Sequence, residues 1–210
     1  MNAVYRTVPV VAIERDHLTR EAIVSAAHDL VVADGLEGMS LRRVAAVLGV
    51  TAPALYAHID DKNDLLEAVA TREFERLIDR LEAIPATDPL ERVRGFARAY
   101  IDHARSEPAL FQVLFLFRPQ WSPDAPMDEH SAATRAFGFA AATVDAAMQA
   151  GALRPDDPIK VSIALWAAAH GAATVTLAGL ALGEEYEAAI VDTVIDNLVR
   201  GLAAPIDEPA

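Results

Sequence analysis

The clearest hydrophobic pattern in the chain lies in residues 40–58, where apolar positions recur with the period of two short helices. One helical face is formed by apolar residues spaced i, i+3, i+4 and i+7, namely Leu41, Val44, Ala45 and Leu48. Gly49 follows where a helix end prefers a left-handed residue, and Pro53 lies in the first turn of the next helix, where a missing N–H costs nothing. This pattern predicts a helix-turn-helix, which places its second helix in the DNA major groove.

Helical periodicity continues along almost the whole chain, and no stretch alternates as a strand does. Thr19, Thr51 and Asp61 are candidate N-caps for the first, third and fourth helices, and the first helix is expected to end near residues 34–35. Prolines 85 and 89 end the fourth helix and begin the next. Five more helices are predicted, over residues 90–105, 109–117, 129–150, 158–182 and 184–202. The predicted fold class is all-α.

The expected organisation has four parts, with the domain boundary near residues 84–88. Residues 1–18 form an N-terminal extension, residues 19–66 a three-helix head, residues 67–84 a connecting part of helix four, and residues 85–205 a larger helical body. This division follows the prolines that separate the fourth and fifth helices.

Composition narrows the classes of protein that fit. The chain contains no cysteine, which excludes disulfides, thiolate zinc sites and Cys nucleophiles. Its formal net charge is −13, but residues 1–62 contribute six Lys/Arg and eight Asp/Glu, so most of the acidity lies in the body. An acidic body disfavours sequence-independent coating of nucleic acid. The apolar run at residues 8–13 is too short for a signal peptide, and a cytoplasmic location is expected.

Residues 163–183 contain no Asp, Glu, Lys or Arg, and by length alone they could cross a bilayer. However, the segment is built on Ala, Gly and Thr and contains His170. A helix buried on all sides of a soluble bundle or dimer has the same pattern, and we favour that interpretation over membrane insertion.

Three features together resemble the TetR family of transcriptional regulators: the three-helix head, the Tyr56-x-His58 pair, and Lys62-x-x-Leu65-Leu66 at the start of helix four. The resemblance is specific over residues 19–66. Beyond them, Trp166-x-x-x-His170-Gly171 resembles the C-terminal domain of one TetR subgroup. The resemblance implies a homodimer whose heads bind double-stranded operator DNA and whose bodies dimerise and bind a small-molecule effector that releases the operator. It implies no cofactor.

The resemblance also implies a set of DNA contacts. Tyr56, His58 and Lys62 would contact phosphates, and Arg42 would reach a base edge. Ala52, Pro53 and Ala54 can offer only methyl-sized contacts, which leaves more of the affinity to phosphates and DNA shape. A second interpretation of Tyr56 is that it packs in the core of the head. The complete set is Thr19, Arg42, Arg43, Thr51, Ala52, Pro53, Ala54, Tyr56, His58 and Lys62.

Aromatic and histidine side chains of the body are candidates for the effector site. Together they could line a mostly apolar cavity with a few polar anchors, although for most of the aromatic residues taken singly we favour plain core packing. His170 is as compatible with a satisfied core position as with a ligand contact. The candidates are Phe96, Tyr100, His103, Phe111, Phe115, Trp121, Phe137, Trp166 and His170.

Catalytic chemistry has little support in the sequence. No serine lies in a Gly-x-Ser-x-Gly elbow, no glycine-rich phosphate loop is present, and we expect no metal site. We therefore expect a ligand-responsive repressor and not an enzyme. Two alternatives stay open: an all-helical enzyme or small-molecule carrier whose head only resembles a DNA-binding module, and an architectural DNA-binding protein without a ligand.

Overall fold

A computed structural model describes residues 18–85, 87–116, 131–178 and 183–204. Within these ranges the chain forms nine α-helices and one isolated antiparallel bridge, between Leu153 and Ala203, which confirms the all-α prediction. In chain order the helices are α1 Arg20–Gly38, α2 Leu41–Val47, α3 Ala52–Leu55, α4 Lys62–Glu82, α5 Pro89–Ser106, α6 Pro108–Leu114, α7 Ala132–Gln149, α8 Pro158–Leu177 and α9 Glu184–Leu202.

The chain divides by packing into two units. The first unit comprises the described residues 18–74 and 107–116, and the second comprises 75–85, 87–106, 131–178 and 183–204. The division therefore falls inside α4, and it groups α6 with the N-terminal helices because α6 packs against α1. This division differs from the expected boundary at residues 84–88. Prolines end a helix, but they do not by themselves separate the apolar cores on either side of them.

The first unit is built around the apolar faces that the sequence pattern predicts. Leu55, on α3, is fully buried between the faces of α1, α2 and α4, with Ile23, Leu30, Val44 and Leu65. Side-chain caps define the helix starts: Thr19 Oγ1 accepts from the backbone N–H of Ala22, and Ser40 Oγ from that of Arg43. The caps fix where α1 and α2 begin, and hence which of their faces turn inward.

The turn between α2 and α3 requires glycine. Gly49 has φ 69°, a left-handed conformation that costs a side-chain-bearing residue energy. The N–H of Val50 then donates to the carbonyl of Ala45 at 3.0 Å, which closes the helix end and turns the chain into α3. A similar left-handed residue, Gly35, breaks α1 near its predicted end, and a last helical turn follows to Gly38.

The second unit packs α5 against α7, α8 and α9. Phe96 of α5 stacks on Phe139 of α7 with ring centroids 5.5 Å apart, in a cluster that includes Leu77 and Leu81 from the end of α4. Arginines on α5 reach aspartates on α9, through the pairs Arg94–Asp196 and Arg98–Asp192. The last turn of α9 is bound to the 152–154 connection, where the N–H of Arg154 donates to the carbonyl of Leu202 at 2.9 Å.

Helix α8 carries the first part of the uncharged 163–183 segment. Only one side of it is buried within the chain, on residues that include Val161, Ala169 and Ala173. The rest of its surface exposes several apolar residues: Ile159, Ile163, Trp166 and Val175 are each at least 40% exposed. None of the helices in the described ranges combines the length and apolar content that a membrane-spanning segment needs.

Candidate nucleic-acid interface and effector site

The ends of the three N-terminal helices place polar side chains of the first unit in solvent. Tyr56 caps the C-terminus of α3 and is 57% exposed, so it does not pack in the core. Arg42, in the first turn of α2, and Lys62, the first residue of α4, are also exposed, and His58 is half-buried. In the chain, Tyr56, His58 and Lys62 follow the short helix α3 within seven residues, and Arg42 precedes it on α2. Exposed polar groups on both sides of a short helix are compatible with phosphate contacts that position it on DNA.

The leading edge of α3 offers little polar chemistry. Thr51 occupies the N-cap position and is exposed, but its side chain makes no capping hydrogen bond. Ala52 and Ala54 are half-buried, and Pro53 is exposed. These side chains present methyl and methylene groups, which suit apolar contact with thymine rather than hydrogen bonding to base edges.

Two of the expected contact residues already have roles inside the first unit. Thr19 is exposed and caps α1. Arg43 forms an ion pair with Asp34, whose side chain is 5% exposed, and donates to the carbonyl of Gly38 at 2.6 Å. A DNA contact of Arg43 would therefore be made by a guanidinium group that already joins the end of α1 to α2.

A third arginine, which the sequence pattern did not single out, is engaged beside the predicted phosphate contacts. Arg20 donates to both carboxylate oxygens of Asp64, at 2.9 and 2.5 Å, and to the carbonyl of His58 at 2.8 Å. The pKa of Asp64 falls to about 2, mainly because Arg20 hydrogen-bonds to its charged form. No local signal identifies this pair, since the two residues are separated by 44 positions.

In the second unit, three predicted effector residues form one hydrogen-bonded cluster between α5 and α8. Nε1 of Trp166 donates to Oη of Tyr100 at 3.1 Å, and Nδ1 of His170 lies 3.3 Å from the same oxygen. Oγ1 of Thr174 donates to the backbone carbonyl of His170 and lies 3.5 Å from its Nε2. A neutral His170 with its proton on Nε2 satisfies all of these contacts, because Nδ1 can then accept from Tyr100.

Burial favours the uncharged forms of the two ionisable groups of this cluster. It lowers the pKa of His170, and it raises the pKa of Tyr100 against the opposing effect of the hydrogen bond from Trp166. Trp166 itself is 44% exposed and stacks on His170, with ring centroids 5.7 Å apart. The cluster thus offers neutral polar groups beside an exposed aromatic surface.

The other effector candidates are not brought into this cluster by the described contacts. Phe96 belongs to the core cluster with Leu77 and Leu81, His103 is 1% exposed on α5, and Phe137 is half-buried on α7. Phe111 and Phe115 belong to the first unit, where their rings meet edge to face. Trp121 lies outside the described residues. For Phe96 the core interpretation fits the packing best.

The fold and these surfaces define an all-helical protein with a helix-turn-helix unit and a separate helical unit. A family model described as bacterial regulatory proteins of the tetR family matches residues 23–69. A second, described as the tetracyclin repressor-like C-terminal domain, matches residues 93–200. The chain belongs to the TetR family of transcriptional regulators, whose members are regulators and not enzymes.

Individual relatives and solved structures are similar to this chain over most of its length. An uncharacterised HTH-type transcriptional regulator of Mycobacterium tuberculosis is 28% identical over 88% of this chain and 82% of its own length. A protein of unknown function from Rhodococcus sp. RHA1 matches at TM-score 0.71 with 25% identity, over 88% of this chain and 94% of that one. A TetR variant of Acinetobacter baumannii AYE in complex with minocycline matches at TM-score 0.66 with 22% identity, over 88% and 96% respectively.

Proposed function

We propose that the protein is a cytoplasmic homodimeric repressor that binds a palindromic operator and leaves it when a small apolar or amphipathic molecule binds. The main supporting observation is the set of exposed polar residues around α3, namely Arg42, Tyr56 and Lys62. The helices that carry them pack on one apolar core, which fixes the backbone at these positions before DNA binds.

On DNA, the proposed roles divide between positioning and recognition. Tyr56, His58 and Lys62 donate to phosphate oxygens, which fixes the orientation of α3 in the major groove. Arg42 reaches a guanine edge, where a two-pronged contact adds about 1–3 kcal/mol of discrimination. With only small apolar side chains at the start of α3, the remaining specificity comes from methyl contacts and DNA shape.

The proposed dimer is supported by the uncovered side of α8. Its exposed residues Ile163, Ala167, Gly171 and Val175 follow one another at a spacing of four positions, which places them in one stripe along the helix. Contiguous apolar surface of this kind marks an interface in a protein that is not membrane-bound, and small residues permit close helix approach. A two-fold dimer formed there would present two heads to two operator half-sites.

The proposed effector contacts are those of the Tyr100, Trp166 and His170 cluster. Neutral donors and acceptors beside apolar surface are typical of sites for small, uncharged or amphipathic molecules. The A. baumannii neighbour is in complex with minocycline, and this supports an effector-binding role for the second unit here. An incoming hydroxyl or carbonyl group would replace one contact of the cluster and would bias the arrangement of α5 and α8.

A matched pair of arginine variants tests the proposed function. On a duplex selected by the wild-type protein, Arg42→Ala should weaken binding by about 1–3 kcal/mol and relax the preference at one base position. Arg105→Ala removes an exposed arginine of α5 in the second unit and should leave binding unchanged. Equal losses in the two variants would indicate general electrostatic attraction and would contradict operator recognition by this surface.

A further inference from the structure

The loop between α3 and α4, residues 56–61, is held from both sides by the Arg20–Asp64 pair. The guanidinium of Arg20 binds the carbonyl of His58 at 2.8 Å. Oδ2 of Asp64 in turn accepts from the N–H of Asp60 at 2.9 Å. The pair therefore fixes one backbone carbonyl and one backbone N–H within three residues of each other.

These two anchored backbone groups lie next to the side chains proposed to contact phosphates. His58 is itself one of them, Tyr56 precedes it by two residues, and Lys62 follows Asp60 by two. A second bond restrains the start of α4, where Oδ1 of Asp61 accepts from the N–H of Asp64 at 2.8 Å. Movement of this loop would displace every proposed phosphate contact between α3 and α4 at once.

The charge around the pair also indicates a positioning role. Asp60, Asp61 and Glu67 are exposed acids near Asp64, and their negative charges disfavour DNA at this surface. Asp64 can therefore favour DNA binding only through the groups that it holds. Asp64 is the one among them that holds both a guanidinium and a loop N–H. Both carboxylate oxygens of Asp64 are therefore engaged by Arg20 and by the backbone of the loop. Through these contacts Asp64 affects the conformation of the loop.

We propose that Arg20 and Asp64 are positioning residues for DNA binding, which hold the 56–61 loop so that Tyr56, His58 and Lys62 meet the phosphates together. The proposal rests on the proposed function of this surface. It differs from a direct role of Arg20, in which the partly exposed guanidinium would itself attract a phosphate.

Asp64→Asn separates the two roles by the sign of its effect. If Arg20 acts on DNA through its own charge, removing the neighbouring carboxylate should strengthen binding. If the pair positions the loop, binding should weaken by about tenfold, the equivalent of one hydrogen bond of ordinary strength, although the protein has become less acidic. Glu67→Gln, which removes an exposed acid from the next turn of α4, is the matched control and should bind as tightly as wild type or more tightly.

A conservative variant and a local readout complete the experiment. Arg20→Lys keeps the positive charge but cannot span Asp64 and the His58 carbonyl together, so it should also weaken binding. Affinities are measured by fluorescence anisotropy on the selected duplex, with helical content by circular dichroism confirming that each variant is folded. Amide hydrogen exchange without DNA should show faster exchange at Asp60 in Asp64→Asn than in Glu67→Gln.

The possible outcomes are distinguishable. Weaker binding and faster Asp60 exchange in Asp64→Asn, with Glu67→Gln unaffected, support the positioning role. Unchanged exchange, or binding as tight as that of Glu67→Gln, overturns it while the DNA-binding function stands. A wild-type protein that selects no duplex overturns the proposed function and this inference with it.

Discussion

Substitution of the two adjacent arginines at the start of α2 should affect different properties: stability for Arg43 and DNA affinity for Arg42. Arg43→Ala leaves the buried carboxylate of Asp34 without its guanidinium partner and removes the donor to the Gly38 carbonyl. Breaking a fully buried pair costs about 3–5 kcal/mol, but 35% of the Arg43 side chain is exposed, so water can replace part of the contact. We therefore expect a loss of about 2 kcal/mol of unfolding free energy, which lowers the melting temperature of a chain this long by roughly 4–8 °C.

Arg42→Ala is the matched comparison, because its side chain is exposed in the same turn of the same helix. Its unfolding free energy should stay within about 0.5 kcal/mol of wild type, while its affinity for a selected duplex falls roughly 5- to 150-fold. Thermal melts followed by far-UV circular dichroism give the first quantity and fluorescence anisotropy the second.

Amide hydrogen exchange distinguishes the two variants further. In Arg43→Ala the peptide covering residues 34–43 should exchange its amide hydrogens faster, because the end of α1 is no longer joined to α2. If Arg43→Ala instead melted like wild type and lost as much DNA affinity as Arg42→Ala, the guanidinium would be a DNA contact. The structural role assigned to Arg43 would then be refuted.

Three further results are expected of the second unit. Ile163→Glu puts a charge on the exposed side of α8 and should give monomers in sedimentation velocity experiments. Ala142→Glu, on the exposed side of α7, is the control and should stay dimeric. A monomeric wild-type protein would contradict the proposed interface. Tyr100→Phe removes the oxygen that accepts a hydrogen bond from Trp166. Urea titrations should show an unfolding free energy lower by about 1–2 kcal/mol. An unchanged urea midpoint would contradict a stabilising role of this hydrogen bond. Burial lowers the pKa of His170 in the folded chain. As the pH falls, the unfolded chain therefore binds a proton near pH 6.5, while the folded chain does so only at a lower pH. The unfolding free energy should fall as the pH drops below about 6.5. The fall should be smaller in His170→Gln, and equal pH dependence in both proteins would exclude His170 as its source.

Local chemistry in the sequence was sufficient to predict most of the helices. The spacing of Leu41, Val44 and Leu48, the turn at Gly49 and the cap at Asp61 depend only on neighbours within a few residues, and the structure places each as expected. Helix periodicity likewise predicted α9 with its observed bounds. Such features follow from hydrogen bonds and packing between residues seven or fewer positions apart.

Long-range pairings had no such signal. Arg20 and Asp64 meet across 44 positions, and Arg43 reaches back nine positions to Asp34, so neither pair follows from helical periodicity. For the same reason the packing of α6 against α1 was not foreseen, and residues 107–116 were expected in the body. The sequence identifies which residues have the chemistry to pair, but the pairing depends on the tertiary fold.

The uncharged 163–183 segment illustrates a different limit of sequence analysis. Absence of charge predicts that a helix is covered, and it does not specify whether the same chain or a second copy covers it. The structure covers one side of α8 and leaves Ile163, Trp166 and Val175 exposed. Of the two environments that the sequence left open, a dimer is the one that would cover the second side.

Selection of bound DNA from a random duplex pool, at about 150 mM salt where weak non-specific binding is suppressed, tests the central proposal most directly. The account predicts enrichment of a palindrome whose half-site centres lie roughly 34–36 Å apart, one helical turn, as two heads of a symmetric dimer require. The selection is repeated with denatured and refolded protein, so that a retained effector cannot mask binding. If neither preparation enriched any sequence, operator recognition by the surface around α3 would be contradicted.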